Sequence, residues 1–179
     1  FGGFVGLAAS LPIYFTDQFH LTPVMAGYCT AGCVFAGSLV RPLGGALADR
    51  VGGIKVLMIV FVVAAIAIAG VPQAVNLTAA LGLFVIAMLA LGIGNGSVFQ
   101  LVPQRFSAEI GVMTGLVGMA GGVGGFYLAS SLGFAKQWTG SFAPGFYIFA
   151  GLAVIALAAL MFVKGQWRRT WAAAEGVRI

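Results

Sequence analysis

The residue in this sequence with the clearest capacity for chemistry is Arg41, a permanently charged side chain that follows the apolar run MAGYCTAGCVFAGSLV. The next charged residues, Asp49 and Arg50, come eight and nine residues later. In a helix that rises ~1.5 Å per residue, Arg41 lies roughly 12 Å from this charged edge. That distance is close to the middle of a bilayer whose apolar core is about 30 Å thick, where ionisable residues are rare and usually functional.

Arg41 has no predicted ion-pair partner, because no acidic residue lies deep in an apolar segment. An arginine side chain also reaches only part of the way to the membrane edge, so snorkelling does not explain its position. A guanidinium that faces a cavity is a site for an external anion, and its planar fork suits an oxyanion such as carboxylate, nitrate or phosphate. The four acidic residues are Asp17, Asp49, Glu109 and Glu175.

Helical spacing and a proline add detail around Arg41. Pro42 removes one backbone hydrogen bond and disfavours regular helix at Arg41, so we expect a kink there. The helical face of Arg41 also carries Thr30, Cys33 or Val34, Gly37, Gly44 or Gly45, and Ala48. This face of small residues is expected to line a cavity rather than to contact lipid.

The composition is that of an integral membrane protein. The 179 residues are 61% hydrophobic and only 7% charged, with a mean hydropathy of +1.08, whereas soluble domains average about 25% charged residues. The net charge of +5 does not indicate nucleic-acid binding, because the basic residues flank apolar segments. Cys29 and Cys33 are expected to be inert buried thiols, and we predict no metal, no cofactor and no enzymatic activity.

Six apolar segments predict six transmembrane helices in an all-α fold. The connectors between them are short and rich in turn-forming or charged residues, so neighbouring helices should be antiparallel. The chain has no signal peptide pattern and is expected to be a fragment of a longer polypeptide. The predicted spans are 1–15, 24–48, 54–71, 77–102, 110–134 and 142–163, within a transmembrane unit of residues 1–164 that precedes a basic tail at 165–179.

The distribution of Lys and Arg predicts the orientation. Seven cations fall on one side of the predicted spans and only Lys136 on the other, so the positive-inside rule places both ends in the cytoplasm. The expected location is the inner (plasma) membrane. The seven are Arg50, Lys55, Arg105, Lys164, Arg168, Arg169 and Arg178.

Two further segments carry small or polar residues inside predicted helices. In the fifth span, small residues at steps of three and four lie on one helical face, which suits either tight helix packing or contact with a substrate. In the fourth span, GIGNGSVFQ contains Asn95, Ser97 and Gln100, which should hydrogen bond to adjacent helices or contact the substrate directly. The small residues are Gly111, Gly115, Gly118, Gly122, Gly125 and Ala129.

The segment GGALADRVGG resembles the loop motif between the second and third helices of each half of major facilitator superfamily transporters. Together with FGGFVG, LVRPLGG, GIGNGSVFQ and GLVGMAGGVGGF, it makes the chain similar to the nitrate/nitrite porter branch of that superfamily. The resemblance extends from Phe1 to about Lys164. It implies the C-terminal six-helix half of a twelve-helix transporter.

The resemblance also implies roles for individual residues. The substrate arginine of the second half falls on Arg41, the aromatic residue that sandwiches the anion on Phe1, and the glycines nearest the anion on Gly115 and Gly118. Gly118 stands where some members carry a serine, which removes one hydroxyl contact. Gating or conformational roles fall on Gly121, Gly122, Gly125, Asn95, Pro42, Gly45, Asp49 and Arg50.

The implied function is nitrate and nitrite transport by alternating access, with the N-terminal half of the same transporter supplying the other half of the site. The spans contain no buried carboxylate or histidine as a proton carrier, which leaves anion exchange, or proton coupling through groups elsewhere. Two alternatives remain open. The first is a major facilitator transporter of another small anion such as an organic carboxylate. The second is a membrane scaffold module that transports nothing.

Overall fold

The computed structural model describes residues 1–171, and every regular element in that range is helical. Five helical stretches are long and apolar enough to cross a membrane. The first predicted span corresponds to α1, an 18-residue helix whose last turn contains the polar residues Thr16, Asp17 and Gln18. The predicted all-α membrane fold is confirmed. The elements are α1 (Gly2–Phe19), α2 (Pro23–Leu39), α3 (Arg41–Val51), α4 (Gly53–Gly70), a 3-10 turn (Val71–Gln73), α5 (Leu77–Arg105), α6 (Ile110–Thr139) and α7 (Ala143–Trp171).

Short connectors with capping residues separate the helices. Thr22 caps α2 by accepting a hydrogen bond from the backbone N–H of Met25 at 3.4 Å, and Asn76 caps α5 through the N–H of Ala79 at 2.8 Å. Gly140, with φ of 71°, ends α6 in the left-handed conformation that glycine adopts without strain. All three residues lie in connectors between the predicted spans.

The second predicted span is divided into two helices at Val40, directly before Arg41. Pro42 has no N–H to donate to the carbonyl of Ser38, and that carbonyl instead accepts from the N–H of Val40. Val40 itself has φ of −80° and ψ of −11°. The interruption expected from Pro42 is therefore present, and it makes Arg41 the first residue of α3.

Packing joins the helices into one unit. Helix α1 packs against α2 and α6, α4 packs against α5 and α7, and α3 packs against α5. At the end of α1 that is remote from Arg41, the Tyr14 ring makes edge contacts with Phe84, Phe142 and Phe146 at centroid distances of 5.2–5.3 Å. This aromatic cluster ties α1 to α5 and to the start of α7.

Helix α7 does not end at the predicted boundary. It continues through Trp171, because no proline follows Lys164 and the single glycine there, Gly165, is accommodated within the helix. Part of the predicted tail is thus helical. Residues 172–179 of that tail lie outside the described residues.

Candidate substrate site

The guanidinium of Arg41 lies over an aromatic ring. Its Cζ is 4.5 Å from the centroid of the Phe4 ring, and Phe4 is almost completely buried in α1. A cation held over a ring face in this way is attracted by the quadrupole of the ring. The contact fixes the direction of a long, flexible side chain across the boundary between α1 and α3.

Arg41 has no carboxylate partner in the part of the chain that the structure describes. The Nε atom is buried without a hydrogen-bond partner, although the residue as a whole is half-buried. Asp17 instead lies 3.9 Å from Lys136, and Asp49 accepts a hydrogen bond from Gln100. A buried guanidinium donor without a partner is costly, so this site suits an anion that arrives from outside the chain.

Glycines hold the backbones of α2 and α3 against α5 at the level of Arg41. A Cβ added to Gly96 would overlap the carbonyl of Arg41, and one added to Gly92 would overlap the carbonyl of Gly37. Gly44 lies equally close to the backbone of α5. We expected this face of the second span to line a cavity, and that expectation is wrong. The small residues are used for close backbone packing, as in small-xxx-small helix pairs.

The polar residues of the fourth predicted span reach neighbouring backbone and side chains. Ser97 Oγ donates to the carbonyl oxygen of Gly44 at 3.1 Å and to that of Ile93 at 2.9 Å, and Gln100 donates to Asp49. Hydrogen bonding to an adjacent helix is therefore confirmed for these two residues. Asn95 is 3% exposed and its Oδ1 has no hydrogen-bond partner among residues 1–171.

Phe1 lies at the start of α1 and is 39% exposed. Its ring makes an edge contact with Phe99 of α5, with centroids 6.3 Å apart. Gly121 of α6 lies against the same ring so closely that an added Cβ would overlap it. Phe1 therefore sits where α1, α5 and α6 meet.

The glycine stripe of α6 has two different environments. Gly121 and Gly125 are buried against α1, where the backbones approach closely. An added Cβ at Gly115, Gly118 or Gly122 would meet no atom within 4 Å. One edge of the stripe therefore packs within this unit, and the adjoining edge is open to whatever faces it.

The remaining predicted residues lie along α3. Pro42 is in its first turn, and Asp49 and Arg50 are in its last turn. A Cβ added to Gly45 would lie 3.8 Å from the carbonyl oxygen of Gly96. The structure thus brings Gly45 and Asp49 to the α3–α5 contact, whereas Pro42 is exposed in the first turn of α3. It places Gly115 and Gly118 on the open edge of α6 instead.

Two aromatic residues at the site were missed by the sequence analysis. Phe4 supports Arg41 and Phe99 supports Phe1. Phe4 follows Phe1 by three residues and so shares its helical face, which was an available signal. The position of Phe99 depends on how α1 crosses α5, and no local pattern reports that crossing.

The described residues contain no group of three or more His, Cys, Asp or Glu side chains that could hold a metal ion. Cys33 is buried and Cys29 half-buried, both as free thiols on α2. The mid-span chemistry is therefore that of one cation with aromatic support.

Comparison with known proteins assigns this architecture to a family. The sequence pattern of the Major Facilitator Superfamily matches residues 1–172. The chain belongs to the major facilitator superfamily. The helical content agrees with that membership. The segment GGALADRVGG, which resembles the loop motif of this superfamily, is helical through Val51 within α3, and Gly52 alone separates α3 from α4.

Several relatives within this superfamily are similar over most of the chain. A "Nitrite extrusion protein" of Bacillus subtilis (strain 168) is 38% identical over 172 residues, covering 94% of this chain and 42% of the relative. A "Probable nitrate transporter NarT" of Staphylococcus epidermidis is 34% identical, covering 92% and 42%. A "Probable nitrate/nitrite antiporter NarK1" of Thermus thermophilus is 32% identical, covering 87% and 39%. The chain spans about two fifths of the length of these relatives, all of which are named as transporters or extrusion proteins rather than enzymes.

Proposed function

We propose that this chain is the C-terminal half of a transporter that moves nitrate and nitrite across the inner membrane by alternating access. The N-terminal half of the same transporter supplies the other half of the site. Arg41 and Phe1 contact the anion, together with Gly115 and Gly118. The names of the relatives support the choice of substrates.

The observation that carries the proposal is the state of Arg41. Its guanidinium is held over Phe4, its Nε is buried without a partner, and the described acidic residues lie at helix ends. A planar, monovalent oxyanion would satisfy this donor and neutralise the charge. Nitrate and nitrite both have that shape and charge.

The same arrangement bears on how transport is coupled. Asp17 lies in the last turn of α1, Asp49 in the last turn of α3 and Glu109 at the start of α6. The described part of the chain thus offers no carboxylate at the depth of Arg41. Exchange of nitrate for nitrite needs no proton carrier here, whereas proton coupling would need groups outside this chain.

The topology belongs to the proposal as well. Arg50 lies in the last turn of α3 and Lys164 near the end of the apolar part of α7, both on the side opposite Lys136. The excess of cations on that side favours a cytoplasmic location for both ends of the chain. Gly121, Gly122, Gly125, Asn95 and Pro42, with Gly45, Asp49 and Arg50, are proposed to act in the conformational change.

The test is uptake of labelled nitrate by cells that express the full-length transporter with Arg41→Lys or Arg41→Gln. Lysine keeps the charge but loses one of the two hydrogen bonds that a guanidinium can donate to a planar anion. A hydrogen bond to a charged group contributes about 1.5–3 kcal/mol. Apparent affinity should therefore fall about 10- to 150-fold in Arg41→Lys. Lys136→Gln is the matched control for charge removal at a helix end, and it should transport normally.

Wild-type kinetics in Arg41→Lys would refute the proposed role of Arg41. Competition separates the alternatives for the substrate. If acetate or another carboxylate displaces labelled nitrate better than nitrite does, the facilitator carries a different anion. If purified full-length protein shows no thermal stabilisation by any of these anions, the scaffold interpretation replaces transport.

A further inference from the structure

An apolar groove runs between α4 and α7 on the outer surface of the helix bundle. Its volume of about 330 Å³ lies within the range of small-ligand pockets, roughly 300–1,000 Å³. Half of its lining residues are strongly exposed, including Ile59 at 61% and Met161 at 50%. The groove is lined by Met58, Ile59, Val62, Val63, Leu157 and Met161.

A lysine closes one end of this groove. The ammonium of Lys164 on α7 lies 3.8 Å from the Sδ atom of Met58 on α4, and Met58 lines the groove. A thioether is a weak acceptor, so this ammonium keeps donors for a stronger partner. Lys55 precedes Met58 by three residues on α4 and is exposed, which places a second ammonium on the same helical face.

Both helices repeat one pattern along the groove. On α7, Leu157, Met161 and Lys164 are spaced by four and three residues, and on α4, Lys55 is followed by Met58 and Val62 at similar spacing. Each helix thus presents a cation at the charged membrane edge and apolar side chains toward the bilayer centre. The two faces together have the polarity of one lipid molecule.

We propose that this groove, named here the α4–α7 groove, is a binding site for an anionic phospholipid. The phosphate lies between Lys55 and Lys164, and an acyl chain lies along Met58, Val62 and Met161. Basic pockets between transmembrane helices at the membrane edge are a recurrent form of headgroup recognition. The groove shares no lining residue with the surroundings of Arg41, and the proposal does not depend on what the protein transports.

A phospholipid fits this groove better than a partner helix does. An added apolar helix would bury an apolar face, but unless it also carried an acidic residue at this edge it would leave two ammonium groups without an anion. The headgroup supplies that anion in the same molecule as the acyl chain. Charge complementarity therefore selects the occupant.

The test measures lipid retention on purified full-length protein by native mass spectrometry, with mixed micelles of phosphatidylglycerol or phosphatidylcholine as probes. Wild-type protein should retain phosphatidylglycerol about 30-fold better than phosphatidylcholine, from two lysines near the headgroup. The double variant Lys55→Gln/Lys164→Gln should lose this preference, and Lys55→Arg/Lys164→Arg should keep it. Lys136→Gln, which removes a cation at the other edge, should change nothing.

A second pair of variants tests the acyl-chain part of the site without altering charge. Val62→Trp should fill the groove and lower retention of phosphatidylglycerol, whereas Ile155→Trp on the opposite face of α7 should leave it intact. Equal retention of both lipids by wild-type protein would overturn the proposal. So would an unchanged preference in the double glutamine variant, or equal effects of the two tryptophan variants.

Discussion

Phe4→Leu tests whether the ring under Arg41 prepares the anion site. Leucine keeps an apolar side chain in the buried position of Phe4 but removes the ring face over which the guanidinium lies at 4.5 Å. Arg41 would then sample more rotamers before it binds an anion. We expect the substrate KM of the full-length transporter to rise while the maximal rate changes less.

The size of this effect follows from the burial of the contact. Cation–π contacts contribute about 0.5–1 kcal/mol at exposed sites and ~2 kcal/mol or more when desolvated. Arg41 is half-buried and Phe4 is 4% exposed, so the contact falls in the upper part of this range, at about 1–2 kcal/mol. KM should increase roughly 5- to 30-fold.

The assay compares Phe4→Leu with Phe15→Leu in labelled-nitrate uptake. Phe15 is also fully buried in α1 but packs in the aromatic cluster with Phe84, away from Arg41. Both variants should lower the melting temperature, because each removes buried aromatic contacts. Only Phe4→Leu should raise KM. Wild-type KM in Phe4→Leu, or an equal rise in both variants, would refute the assigned support of Arg41 by Phe4.

Two further predictions concern glycines. In Gly96→Ala the added Cβ overlaps the carbonyl of Arg41, so the melting temperature of the full-length protein should fall, with an overpacking cost of about 1–3 kcal/mol. In the control Gly45→Ala the added Cβ meets its nearest atom at 3.8 Å, so the melting temperature should not fall. Equal melting temperatures for the two would contradict the close α3–α5 contact. Gly115→Ala and Gly118→Ala should leave the melting temperature unchanged, because nothing lies within 4 Å of the added carbon, but should slow nitrate uptake if this edge closes on the anion. Normal uptake in both would remove these two glycines from the proposed site.

The fold was predictable because a membrane restricts the possible structures severely. Backbone groups in the bilayer must be satisfied within the chain, so each long apolar segment becomes a helix. Thr22, Asn76 and Gly140 mark the connectors as the sequence indicated. The end of α7 was missed because residues after Lys164 are polar but still favour helix, and polarity alone does not stop one.

The site was predictable only in its parts. Arg41 and the break before it follow from local chemistry, namely a charge in an apolar run and a proline beside it. The partner of Arg41 and the environments of the glycines depend on which helices cross. A face of glycines has the same sequence pattern whether it touches a backbone, as at Gly37 and Gly44, or lies open, as at Gly115.

These two uses of glycine suggest how the half-site combines rigidity with motion. At the α3–α5 contact, close backbone packing and the hydrogen bond from Ser97 to Gly44 fix the backbone that carries Arg41. On α6, Gly121 and Gly125 anchor one edge against α1, while the other edge has no side chains to interlock with a facing surface. A smooth surface beside a fixed cation can slide without displacing it. On the proposed function, the charge stays with the α3–α5 contact during transport, and the open edge of α6 is the surface past which the facing half of the transporter slides.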